Sequence, residues 1–236
     1  MRERPSSSGM RTPYCRDHPQ TGPCGRWPAG SSPESEIGSC GPAAEEGWTA
    51  MPLIYVTGLS GSGKSAVLRE LRARGLEAYG VDEDGYADWV RRDGGAIEHY
   101  PARERGPVTR AWRRDHHWVL SADRIGELKR DCDQAGRTVF LCGVAADDGD
   151  VWHCFDTVVA LVSDIGTLCR RIANRRDNDF GKSPGELEQI LNWRAGYEET
   201  YRRFGAMIVD ATKPIKTIVD RMLAELRINP ITRSHS

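Results

Sequence analysis

Residues Gly58-Leu59-Ser60-Gly61-Ser62-Gly63-Lys64-Ser65 match the spacing G-x-x-x-x-G-K-[ST]. Each fixed position has a use in holding phosphate. The glycines let backbone N–H groups of the loop, those of Ser60, Gly61, Ser62 and Gly63 among them, converge into an anion nest. A helix opening near Gly63 adds its positive N-terminal end. Lys64 supplies a point charge for the β- and γ-phosphates, and the Ser65 hydroxyl supplies one coordination site for Mg²⁺. The ligand expected from this chemistry is ATP, or a closely related nucleoside triphosphate, with Mg²⁺. A glycine-rich turn with an exposed lysine would need neither the apolar strand before the motif nor the amphipathic helix after it.

A second group of charges follows at Asp82 and Asp84, within Val81-Asp82-Glu83-Asp84-Gly85. If the preceding strand runs to this point, its two-residue period sends both carboxylates to the same side, into the cleft beside the phosphate loop. One, Asp82, could hold Mg²⁺ through water; the other, Asp84, could take the proton of an attacking hydroxyl. The plain reading is a solvated acidic turn. Further on, Arg171 and Arg175 are spaced to share a helix face, and a polar stretch follows from 175 to 184. They are expected to form a lid that brings a guanidinium to the transferring phosphoryl group and excludes water; alternatively they are a basic helix end meeting its own dipole. Residues 86–118 mix aromatics with arginines, among them Trp89, Tyr100, Arg103, Arg105, Trp112, Arg113 and Trp118. That mixture suits an aromatic or anionic acceptor, or a half-buried helical cap with its tryptophans in the core.

Positioning these groups requires alternating strands and helices. Apolar runs predict strands at 53–57, 76–81, 137–143, 155–162 and 206–209. Helical periodicity predicts helices over 64–74, 115–135, 164–174, 186–204 and 215–226, with Gly75 and Gly136 as stops. This alternation implies an α/β fold, a five-stranded parallel sheet flanked by helices and carrying a small lid. The first fifty residues differ: they are rich in Pro, Gly and Ser and poor in large aliphatics. They are expected to be a disordered extension, with the folded domain spanning 51–236.

The third strand, Thr138 to Gly143, carries no carboxylate, which argues against AAA+ motors, transporter ATPases and simple NTPases. No Asn-Lys-x-Asp is present, which argues against a GTPase. With the phosphate loop and Asp82-x-Asp84, the chain resembles P-loop kinases of the adenylate kinase and shikimate kinase-like group. The resemblance covers residues 52–227 in order. It implies that the Leu141-Cys142-Gly143-Val144 strand end lies beside the acceptor, that Arg170 to Arg176 enters a mobile lid, and that Val209-Asp210-Ala211-Thr212-Lys213-Pro214 packs on the adenine. Asp210, Thr212, Lys213 and Pro214 thereby join the expected nucleotide site.

The whole chain bounds the partners. It has 236 residues and a net charge of -1, from 33 basic and 34 acidic side chains. No global field draws it to nucleic acid or to a membrane surface. No apolar run approaches the roughly 20 residues of a membrane span, and residues 1–9 lack the apolar core of a signal peptide, so a cytoplasmic protein is expected. The 7 cysteines form no C-x-x-C pair, which leaves a zinc site without support. The expected activity is ATP-dependent phosphoryl transfer to a hydroxyl or phosphate of a small acceptor, with Lys64, Asp84, Arg171 and Arg175 as catalytic groups and Ser65 and Asp82 on the metal. A nucleoside or nucleoside monophosphate kinase is the nearest variant, and a non-catalytic ATP-binding switch is the alternative from another class.

Overall fold

The computed structural model describes residues 52–100, 106, 108–146, 148–176 and 178–228. The N-terminal extension, Arg103 and Arg105 lie outside the described residues.

The first strand, β1 (Leu53–Gly58), is buried along its whole length. It is apolar at nearly every position because both of its faces are covered. Ile54 and Val56 face α1 (Lys64–Ala73) and α6 (Ile215–Glu225), packing with Val67, Leu71, Val219 and Met222. Leu53 and Tyr55 face the other way, toward Ile125 and Leu128 of α3 (Ala122–Ala135). Two cores therefore sandwich one sheet, whose order is β2 (Glu77–Gly80), β6 (Val139–Cys142), β1, β7 (Thr157–Val162) and β8 (Met207–Asp210). All four pairings are parallel, with Ile54 opposite Phe140 on one side and Thr157 on the other. The expected five-stranded parallel sheet is thus present, and β1 at its centre delivers the phosphate loop to the carboxyl edge.

Two expectations are corrected. Residues 115–135 are not one helix: His116–Leu120 forms β5, and α3 begins after Ser121. Val119 and Leu120 fit the helical period by coincidence. The His-His-Trp-Val-Leu run is aromatic and β-branched, and the edge of β3 (Ala87–Arg91) offers it a ladder. The helical cap expected over 86–118 is instead a small antiparallel sheet in the order β4 (Ile97–Glu98), β3, β5, with the short α2 (Arg110–Asp115) beside it. The other helices, α4 (Ile165–Asn174) and α5 (Pro184–Arg203), fall within two residues of their expected limits. Phe204, just past α5, is 64% exposed and meets Trp152 edge-on.

Candidate active site

Immediately after β1 the chain turns through Gly58 to Gly63 into α1. Gly63 is the N-cap of that helix with φ 108, a conformation that suits glycine. Gly58 cannot be larger, because a Cβ there would lie 2.3 Å from Ser62 Oγ and 2.9 Å from the Leu161 carbonyl. Gly61, Ser62, Gly63, Lys64 and Ser65 therefore present the loop-to-helix junction that an anionic phosphate chain fits. Lys64 Nζ donates to the carbonyls of Gly58 at 2.6 Å and Leu59 at 3.1 Å. Burial pushes its pKa down from 10.5 to about 8, with Asp82 pulling up and Arg175 pushing down. This buried ammonium held on carbonyls is a charge awaiting a stronger anion.

Asp82 lies in the turn after β2 and accepts a hydrogen bond at Oδ1 from the Trp118 indole, 2.9 Å away. Desolvation of the carboxylate by surrounding protein raises its pKa, opposed by Lys64 and by that hydrogen bond. Asp82 and the exposed Ser65 hydroxyl are a hard, oxygen-donor pair. Among the described residues no group of three or more His, Cys, Asp or Glu forms a protein-built cage. Mg²⁺ fits such a sparse pair, since it takes one or two protein oxygens and completes its shell with phosphate and water.

Asp84 departs from the expectation. β2 ends at Gly80, and residues 81–85 are a turn, so the two-residue alternation does not reach Asp84. Its Oδ2 accepts from the Gly80 backbone N–H at 2.6 Å and from Arg72 Nη2 at 2.6 Å. Arg72 Nε also donates to the Ala78 carbonyl at 2.8 Å. Ala78 and Gly80 point their backbone groups outward from β2, an edge strand, while the following Val81 N–H turns inward to the Cys142 carbonyl. The Arg72–Asp84 pair thus seals the free edge of the sheet. Glu83 folds over Gly80 instead, where a Cβ would lie 2.0 Å from its Oε2.

Arg171 and Arg175 both reach the phosphate loop, although Arg175 is the C-cap of α4 with extended backbone rather than a helical residue. Arg175 Nη1 donates to Ser60 Oγ at 3.0 Å, and Nη2 donates to the Phe180 carbonyl. Arg171 donates to the Ser62 carbonyl at 3.0 Å and to the Ala211 carbonyl at 2.8 Å. Its guanidinium therefore ties the phosphate loop to the segment Asp210–Pro214, and burial lowers its pKa. Within that segment Asp210 closes a turn by accepting from Thr212 N and Oγ1, with Lys213 3.9 Å away, and Pro214 is the N-cap of α6. Gly143 has a packing reason: a Cβ would meet Val81 at 2.2 Å.

Beside Leu59 of the phosphate loop opens a cleft of about 420 Å³, lined by Val162, Ser163, Arg194, Tyr197 and Arg202. Arg194 Nε donates to the Ser163 carbonyl at 3.2 Å. Arg194 is not among the expected site residues, but the sequence carries a signal for it: Ile190, Arg194, Tyr197 and Tyr201 follow one helical stripe, and an arginine on an inward stripe calls for an anionic or carbonyl partner. Trp118, one of several aromatics in 86–118, gives no sequence signal for its contact with Asp82.

No family model matches the sequence, and no curated protein matches it. Solved structures do match by shape. Shikimate kinase from Acinetobacter baumannii, in complex with shikimate, is 14% identical, with a TM-score of 0.50 over 76% of this chain and 95% of that one. A sugar kinase from Janibacter sp. HTCC2649 is 19% identical, with a TM-score of 0.49 over 78% of this chain and 98% of that one. A deoxyadenosine kinase from M. mycoides with bound dCTP is 18% identical, with a TM-score of 0.42 over 74% and 98%. The likeness to the shikimate kinase is one of fold: a parallel sheet flanked by helices, with a phosphate loop after its first strand.

Proposed function

We propose that this chain is a Mg-ATP-dependent phosphotransferase that moves the γ-phosphoryl group to a hydroxyl or phosphate of a small acceptor. One observation carries the reading: the phosphate loop holds the half-buried Lys64 on the carbonyls of Gly58 and Leu59, with Arg175 reaching Ser60 of the same loop. A nucleotide on the loop would present its terminal phosphate at the carboxyl edge of the sheet, where the small acceptor would bind. The loop amides and Lys64 bind the phosphates, and Lys64 exchanges the carbonyls of Gly58 and Leu59 for phosphate oxygens. Ser65 and Asp82 would hold Mg²⁺, which supplies charge neutralisation for the phosphates. Arg175, which contacts Ser60, would balance charge on the transferring group, whereas Arg171 ties the loop to Ala211, next to the expected adenine segment Asp210, Thr212, Lys213 and Pro214. Phosphoryl transfer through a loose transition state depends mainly on positioning and charge, and little on a base, so it does not require Asp84. A cytoplasmic location suits a consumer of ATP.

ADP release by the full chain with Mg-ATP, screened over hydroxy acids, sugars, nucleosides and nucleoside monophosphates, tests this. One acceptor class should stimulate release, and Lys64→Ala should lower that release at least ~100-fold, as loss of a preorganised charge at the reacting group does, with unchanged circular dichroism. Stimulation by nucleosides alone would select the nucleoside kinase variant. Tight ATP binding with no stimulation by any class would replace the enzyme reading with a nucleotide-binding switch.

A further inference from the structure

The expected metal aspartate is held from outside the nucleotide domain's own sheet. Asp82 sits in the turn 81–85, and Trp118 Nε1 donates to its Oδ1 at 2.9 Å. Trp118 belongs to β5 of the small antiparallel sheet, where it stands opposite Trp89. The indole is itself fixed twice. Its ring tilts against that of Trp89, with centroids 5.1 Å apart, and its backbone carbonyl accepts from Ala146 N at 2.7 Å. Ala146 follows β6, so Trp118 bridges the loop after β2 and the loop after β6, two neighbouring strands of the main sheet. A carboxylate on a turn has several rotamers open to it, and a fixed donor selects one.

We propose that Trp118 is a positioning residue for Asp82: its indole N–H holds Oδ1 so that Oδ2 is left to the nucleotide-bound divalent cation, and it thereby links the small antiparallel sheet to metal binding. The inference rests on the phosphotransferase reading for the metal's presence, but not on any acceptor. Trp118 does not touch the reacting atoms. Its effect passes through the aspartate, so displacing β5 displaces the carboxylate.

The test measures nucleotide binding and needs no turnover. For the full chain, ATP affinity is titrated against Mg²⁺ by calorimetry in wild type, Trp118→Phe, Asp82→Asn and the double variant. Trp118→Phe keeps the ring and removes the donor. It should raise the half-saturating Mg²⁺ about tenfold, the size of one hydrogen bond to a charged group, while ATP affinity measured in EDTA stays the same. In Asp82→Asn the Mg²⁺ effect should be lost, and adding Trp118→Phe should change it no further. Trp89→Phe, which leaves the donor in place, controls for general loosening of the sheet and should retain the wild-type Mg²⁺ dependence. An unchanged Mg²⁺ dependence in Trp118→Phe, or losses that add in the double variant, would overturn the positioning role while leaving the phosphotransferase reading intact. Wild-type protein that binds no ATP under any condition would overturn both.

Discussion

Lys64 shows how one side chain stores the readiness of the site. Its ammonium is buried and rests on two backbone carbonyls, with a pKa lowered from 10.5 to about 8. The folded chain thus binds this proton less tightly than the unfolded chain does. Above about pH 8 the unfolded lysine is still charged and the folded one is not, so this group's contribution to stability rises with pH between about 8 and 10.5. Phosphate oxygens reverse the balance, because an anion favours the charged form. ATP binding at pH 8.5 should therefore take up a proton, and at pH 7 take up very little. Calorimetry in buffers of different ionisation enthalpy reads the difference, and equal uptake at both values would show that Lys64 is already charged in the free protein.

At the scale of elements, the edge of β2 explains why Asp84 is not where its spacing suggested. A free strand edge exposes backbone donors and acceptors, and here Arg72 takes the Ala78 carbonyl while Asp84 takes the Gly80 N–H. The ion pair itself is 44% and 32% exposed and contributes little in water; the satisfied backbone groups matter more. Asp84→Ala should cost about 1 kcal/mol of stability in urea denaturation, with turnover per folded molecule kept within about twofold. A catalytic base would instead lose orders of magnitude in kcat at unchanged stability. The helices were easier to foresee. α4 and α5 each have a buried stripe, Leu168 with Ile172 and Ile190 with Tyr201, that helical spacing in the sequence already shows. β5 was not foreseeable, because its strand character depends on β3 being there to pair with it.

On the scale of the molecule, the described residues form a sheet with helices on both faces, and no helix among them is long and apolar enough to cross a membrane. Arg171 joins the phosphate loop to Ala211, and Arg175 joins it to the segment after α4. A nucleotide seated there contacts several elements at once and stabilises the fold by mass action. At a hundredfold excess over Kd, Mg-ATP should add about 2.7 kcal/mol, which raises Tm by about 5–10 °C for a domain of this size. Scanning fluorimetry checks this, and Lys64→Ala should lose most of the shift. A full shift in that variant would place the nucleotide somewhere other than the loop at Gly58.

What the sequence determined alone is local in its physics. The phosphate loop is a run of eight consecutive residues whose glycines and lysine act through their own backbone and charge. The parallel sheet follows from apolar runs dense enough to need cover on both faces. Tertiary structure decided whatever depends on a partner distant in the chain. Asp84 was claimed by Arg72 at the sheet edge, Arg171 by the carbonyls of Ser62 and Ala211, and Asp82 by an indole 36 residues away. A carboxylate or guanidinium has no intrinsic direction; it turns to whichever donor or acceptor the fold brings within reach, and spacing along the chain does not reveal that.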